Sequence, residues 1–359
     1  MCADAAATEN VFISPLSVAS ALAMAAAGAT AASKVEAAFL ATLHGDLASN
    51  SGANLLRALA TPSDASVTLN VANSLWARQV KPSYAALLSQ RFNATAQPLT
   101  DAQAVNGWVS ARTQGRITSI VDDGVVQNPL TIALLVNAVF FKAPWSKPFD
   151  SARTMRGLFK VHAAGNGIPC AMMSLKVSQL HYAASEAGQA VALPYGDGQF
   201  RALLVLPAVH APESLGALTS SNEAVQALRA ALQPQRLLLS MPRFTLQYGV
   251  ASLKAALSAM GLEPAFVARA GDFTGISDDP DVHVSDVLHK ALLEVTEEGT
   301  VAAAATAVVM ATRMIAVQPP PVVLTFDRPF LMVIEDAQTG APLFMGRVVH
   351  PVFTAVPEA

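Results

Sequence analysis

Catalysis and metal binding need nucleophiles, acids, bases or ligand atoms at fixed spacings, and this chain offers few. Cys2 and Cys170 are far apart and share no metal-ligand spacing, so neither a disulfide framework nor a metal site is predicted. Asp278-Asp279-Pro280-Asp281 carries enough carboxylates to suggest a calcium loop. It lacks the turn glycine and the terminal bidentate glutamate such a loop requires, and reads as a solvated acidic turn. No Gly-x-Ser-x-Gly elbow, His-Glu-x-x-His helix, phosphate-binding loop or dinucleotide fingerprint occurs, which argues against an enzyme such as a hydrolase and against a cofactor. Asn93-Ala94-Thr95 is a glycosylation sequon, a pattern frequent by chance. On propensity alone the alanine-rich stretch 301–317 reads as a helix, because alanine favours helix and is depleted in strands.

The elements that would position any site follow from composition and periodicity. Apolar residues make up 52% of the 359 and charged residues 14%, enough for a large core. A net charge of −3 provides no basic field for nucleic acid or an anionic membrane. The first ten residues hold no Lys or Arg, so a secretory signal is not expected and the reading favours a cytoplasmic protein, or an extracellular one if a signal is missing from this chain. The uncharged stretch 11–29 is almost long enough to span a bilayer, but Ser14, Pro15, Ser17 and Ser20 within it point to a buried helix starting near Pro15. Helical periodicity is predicted over 15–27, 31–43, 51–60, 82–92 and 101–114, with a strand at 67–76 between them. From residue 130 sheet dominates: 134–141 is an almost continuous apolar run, as in buried central strands, and 199–206, 236–248, 282–295, 322–326, 330–335 and 343–349 are further strands, with a helix near 252–260. Helices first and strands later indicate an α+β fold, and the absence of linkers or repeats indicates one domain over 1–359.

Three distant stretches together resemble the serpin family. The run from Asn10-Val11-Phe12-Ile13-Ser14-Pro15-Leu16-Ser17 to Met24 resembles the start of the helix beneath the family's main sheet. Leu135-Val136-Asn137-Ala138-Val139-Phe140-Phe141-Lys142-Ala143-Pro144-Trp145, continuing to Phe149-Asp150, is similar to that sheet's third strand. Val284-Ser285-Asp286-Val287-Leu288-His289-Lys290-Ala291, then Glu294 to Thr300 and an alanine run, is the most specific match; Arg328-Pro329-Phe330 and Phe344-Met345-Gly346 to Pro351 complete it. The resemblance implies a large mixed central sheet, two smaller sheets, about eight to nine helices and an exposed reactive-centre loop.

It further implies an irreversible suicide-substrate inhibitor. The loop, 297–321, would be cut by a protease and inserted as a new central strand, trapping the acyl-enzyme. An inserting strand packs on both faces, which suits the hinge Glu297, Glu298, Gly299, Thr300, Ala302, Ala303, Ala304, Ala305 and Thr306, with Thr300, Ala302, Ala304 and Thr306 turned inward. Carrying over the family spacing, fourteen positions beyond Gly299 gives Arg313 as bait and Met314 across the scissile bond. Sixteen residues from Arg313 to Pro329 resemble plant-type members. A guanidinium bait calls for an acidic specificity pocket, so the expected partner is a trypsin-like serine protease or an Arg-specific cysteine protease of metacaspase or papain-like type. Ser14, Ser17, Asn137 and His289 match the family's shutter beneath the parting strands, and Trp145 its breach. The protein would be a monomer at risk of polymerising by strand addition between molecules.

Departures are few. Residues 1–9 form a short tail where the family's leading helix is expected to be longer. Val301 stands where glutamate is common, and no Lys or Arg cluster lies in 45–62 to bind a glycosaminoglycan. The rival reading is a non-inhibitory serpin-fold carrier or chaperone, against which the small residues from Gly299 to Thr306 speak.

Overall fold

A computed structural model describes residues 9–45, 50–163, 165–210, 212–220, 222–267, 271–300 and 319–353. Its centre is a seven-stranded mixed sheet, in spatial order Val352–Phe353, Phe244–Ser252, Val284–Val295, Gly299–Thr300, Ala133–Pro144, Thr68–Ala77 and Thr95–Pro98. Val284–Val295 and Ala133–Pro144 run parallel and pair directly from Val284↔Ala133 to Leu292↔Phe140. Beyond that point Gly299–Thr300 lies between them.

Ala133–Pro144 is buried along almost its whole length because both of its faces are covered. One face lies over the helix Pro15–Ala26, whose N-cap Ser14 accepts from the Ser17 N–H and whose first position is Pro15. That helix also touches Pro342–Val348 of the second sheet, and this sandwiching explains its alanine-rich, uniformly apolar sequence. Among the described residues no helix is long and apolar enough to cross a membrane. The other face is covered by Ala102–Arg112, whose Val105 and Val109 join Trp76, Leu134, Val136 and Leu288 in a separate apolar cluster.

The second sheet has nine strands. Its path runs Val11–Ile13, Pro342–Val348, Phe330–Asp336, Phe200–Pro207, Gly188–Tyr195, Ile168–Ser185, Gln233–Pro242, Val322–Thr325, with Met155–Phe159 pairing to Ile168–Ser185. The long strand Ile168–Ser185 pairs at one end with Met155–Phe159 and at the other with Gly188–Tyr195, so hydrogen bonding continues between regions expected as two sheets. Within this sheet the fully buried Glu335 carboxylate takes Arg201 Nη2 on one oxygen at 2.8 Å and Arg229 Nη2 on the other at 2.7 Å.

Several element predictions need correction. The strand expected over 236–248 is two strands, Gln233–Pro242 and Phe244–Ser252, belonging to different sheets. The helix expected near 252–260 shrinks to Lys254–Leu257, followed by a π-turn and a 3-10 turn, because Gly261 (φ 98°) interrupts helical geometry. The sheet-dominated reading after residue 130 missed the short helices Pro212–Ser220 and Asn222–Ala230, and also the strands Met155–Phe159, Ile168–Ser185 and Gly188–Tyr195.

Candidate functional site

The site is built where two parallel strands separate. Val284–Val295 ends, the chain turns through Thr296, Glu297 and Glu298, and Gly299–Thr300 returns antiparallel. Thr296 closes the turn by donating from both its N–H (2.8 Å) and its Oγ1 (2.9 Å) to the Gly299 carbonyl. Gly299 then pairs with Pro144 and Thr300 with Ala143, while Val295 pairs with Thr300 on the other side. Two of the residues predicted as a hinge, Gly299 and Thr300, are thus strand members between the two flanking strands. Only glycine fits at 299: φ is 149°, and a Cβ there would come within 2.6 Å of Pro144 Cα.

Aromatic side chains hold this end of the gap. Trp145 donates its ring N–H to the Thr296 carbonyl (3.0 Å) and its backbone N–H to the Glu298 carbonyl (2.8 Å). Its indole stacks on Tyr195 with centroids 4.3 Å apart. The Tyr195 hydroxyl meets Thr300 Oγ1 at 2.9 Å, and both residues are fully buried. Burial raises the Tyr195 pKa, so the phenol stays protonated and able to donate. The Glu297 carboxylate accepts from Thr154 Oγ1 (2.7 Å) and lies 3.5 Å from Arg243 Nη1, and its backbone carbonyl accepts from the Phe149 N–H (2.8 Å). A buried glutamate so partnered fixes the turn from which the next segment departs.

Lower down, sheet register lines up three polar side chains. Asn137 is opposite Asn73 on one side and His289 on the other. Asn137 Nδ2 donates to both Ser17 Oγ and Asn73 Oδ1, and Ser17 Oγ donates to Asn73 Oδ1 at 3.4 Å. The Ser14 N–H donates to His289 Nε2 (3.2 Å), which leaves the ring proton on Nδ1, facing Asn137 Oδ1. Burial lowers the His289 pKa from 6.5 to about 4, so the ring is neutral at pH 7. The helix and three adjacent strands are therefore tied by one buried polar cluster containing Ser14, Ser17, Asn137 and His289. Sequence reasoning missed its fifth member, Asn73. The signal was present, since Leu69, Val71, Asn73 and Leu75 share one face of a strand and only the asparagine is polar.

The remaining sequence-predicted residues, Ala302, Ala303, Ala304, Ala305, Thr306, Arg313 and Met314, lie outside the described residues, as do the tail 1–8 and Cys2. Cys170 is buried and unpaired, and burial raises its thiol pKa to about 11. Among the described residues no group of His, Cys, Asp and Glu could hold a metal ion.

Comparison with known proteins converges on one family. The model for "Serpin (serine protease inhibitor)" matches residues 1–351. An uncharacterised serpin-like protein of Thermococcus kodakarensis is 32% identical, over 95% of this chain and 81% of its own length. Iripin-8 of Ixodes ricinus is 34% identical over 94% and 87%, and human serpin B8 is 30% identical over 96% and 94%. Among solved structures, human thyroxine-binding globulin superposes with a TM-score of 0.83 at 25% identity, over 96% of this chain and 93% of that one. Serpin48 of Tenebrio molitor gives 0.82 at 26%, over 95% and 91%. The fold, the opened strand pair and these matches agree: the chain belongs to the serpin family of protease inhibitors and is not an enzyme.

Proposed function

We propose that the chain is an irreversible suicide-substrate inhibitor of Arg-specific proteases, with Arg313–Met314 as the reactive bond. The observation that carries this reading is Gly299–Thr300 paired between Val284–Val295 and Ala133–Pro144, the start of the path an inserting strand would follow. A protease attacking Arg313 forms an acyl-enzyme, and the freed loop then enters the sheet. Thr300 leads, followed by Ala302, Ala303, Ala304, Ala305 and Thr306, whose small volumes let them pass between packed strands. Insertion would add strand pairing, so the uncleaved state would be kinetically rather than thermodynamically protected, and cleavage would release the difference. The cluster of Ser14, Ser17, Asn73, Asn137 and His289 acts as shutter, because Asn137 and His289 sit on the two strands that must part. Trp145 guards the breach. The guanidinium of Arg313 suits the acidic pocket of a trypsin-like serine protease, or an Arg-specific metacaspase or papain-like enzyme, in a cytoplasmic setting.

Likeness to thyroxine-binding globulin favours one alternative, a non-inhibitory carrier on the same fold. One experiment separates them: incubation with trypsin followed by a denaturing gel, since only a covalent complex survives denaturant. A stable band at the summed mass, absent for Arg313→Ala, is the expected result. Cleavage without that band would leave the carrier reading.

A further inference from the structure

Four strands at one end of the nine-stranded sheet carry a single sign of charge. Met155–Phe159, Ile168–Ser185, Gln233–Pro242 and Val322–Thr325 contain Arg156, Lys176 and Arg236 and no aspartate or glutamate. A bulge between Leu175 and Ser178 turns Lys176 and Val177 out to solvent, and the Ser178 hydroxyl donates to the Lys176 carbonyl (2.9 Å). Gln179, just past the bulge, is opposite Arg236 and takes Lys147 Nζ on its carbonyl at 3.3 Å. Lys147, Lys176 and Arg236 thus gather around one bulge, and none of them has a carboxylate partner among the described residues. Apolar side chains lie among them, with Val177 39% and Val323 65% exposed.

Chain length ties this cationic strip to the bait. Arg236 Nη1 donates to the Pro319 carbonyl (2.6 Å), which holds residue 319 on the strip. Pro319 is five positions beyond Met314, a reach of at most ~18 Å at full extension. A protease that grips its partner over about 800 Å² covers a disc of about 16 Å radius. Any protease closing on Arg313–Met314 therefore brings the rim of its cleft within a Debye length, about 8 Å, of Arg236.

We infer that the strip around Lys147, Lys176 and Arg236 docks the carboxylate-rich rim of the target protease's active-site cleft. The bait alone treats all Arg-specific proteases alike. Charges at the rim of an interface set the encounter rate, so the strip selects those whose cleft is edged with acids and repels those edged with bases. Apolar side chains among the cations suit a folded protein surface, which offers both kinds of contact, better than a polyanion, which offers charge alone. The inference takes its partner from the inhibitory reading above, but docking precedes insertion and is read separately from it.

The test measures second-order rate constants for cleavage at Arg313 and for covalent complex formation, using anionic and cationic trypsin with the full chain, Lys176→Glu and Lys147→Glu. With anionic trypsin each reversal should lower both rate constants about threefold or more at low ionic strength, and with cationic trypsin it should raise them. Both differences should shrink as added salt shortens the Debye length. The ratio of complex to cleaved chain should stay constant, because insertion follows docking. Lys34→Glu makes the same change in net charge on a helix that packs away from these strands, and should behave as the unmodified chain does. Equal rate constants for the unmodified chain, Lys176→Glu and Lys147→Glu with both trypsins would overturn the inference. So would differences that emerge only once dextran sulfate is present, which would assign the strip to a polyanion. Cleavage at Arg313 without a covalent complex would defeat the inhibitory reading and leave the cleavage rates to decide on the strip, whereas no cleavage there by either trypsin would remove both.

Discussion

His289 and Gly299 carry the most specific consequences at the scale of single residues. The folded chain keeps His289 neutral down to about pH 4, whereas in the unfolded chain it titrates near 6.5. As pH falls through that window the unfolded state takes up a proton that the folded state refuses. Stability from this residue is therefore complete above pH 6.5 and declines by about 3 kcal/mol as pH approaches 4. Thermal midpoints at a fixed scan rate should fall between pH 7.5 and 5, and His289→Gln should flatten that slope; an unchanged slope would remove His289 as its source. At Gly299 the backbone has the positive φ that disfavours a Cβ, and Pro144 leaves no room for one. Gly299→Ala should therefore expel Gly299–Thr300 from between its neighbours. Amide hydrogen exchange at Thr300 should rise by an order of magnitude or more. Retained protection would show that the sheet yields instead.

The strand Gly299–Thr300 and the two strands that flank it belong to the scale of elements. Thr300 is fully buried against Tyr195, so a charge in its place must either be desolvated without a partner or keep the strand out. Thr300→Glu should still present Arg313 to trypsin but slow insertion. The gel should then show cleaved chain in place of the covalent band, with at least about a tenfold change in the ratio of product to complex, the equivalent of about 1.4 kcal/mol in the competing barriers. An unaltered ratio would mean that insertion does not set the outcome. Several element boundaries were legible because their causes are local. Pro82 at the first helical position and Asn93 in left-handed geometry at the end bound a helix whose limits, Pro82–Phe92, match the expectation of 82–92. The missed helices Pro212–Ser220 and Asn222–Ala230 each have nine residues, and the second buries only Val225 and Leu228 among its described side chains, too few anchors to define a period.

Shared polar bonds between helix and sheet matter at the scale of the whole molecule. Asn137 donates to two partners and accepts from the His289 ring, so Asn137→Ala removes one hydrogen bond from each of Ser17, Asn73 and His289 at once. Losing such a network typically costs a few kcal/mol, about 3 kcal/mol here. The separated strands could then accept the loop of a second molecule. Size-exclusion chromatography after prolonged warming should show polymers for Asn137→Ala at temperatures where the unmodified chain stays monomeric, and monomer throughout would count against the cluster as a gate.

Short-range chemistry made the family motifs, the buried strand predicted at 134–141 and the helix start near Pro15 readable from residue order, since each depends on neighbours a few positions away. Ser14, Ser17, Asn137 and His289 were nameable by resemblance; the strand pattern marked Asn73 as a polar residue on an apolar face, but not whose partner it is. Its place follows from the register Asn73↔Asn137↔His289, which is a property of strands far apart in the chain. The same holds for Gly299–Thr300. A glycine after two glutamates can end a strand, turn or continue, and pairing with Ala143 and Pro144 was settled by the space between two parallel strands. Burial and pairing at a point in space are tertiary facts, because they are sums over segments that the linear chain keeps apart.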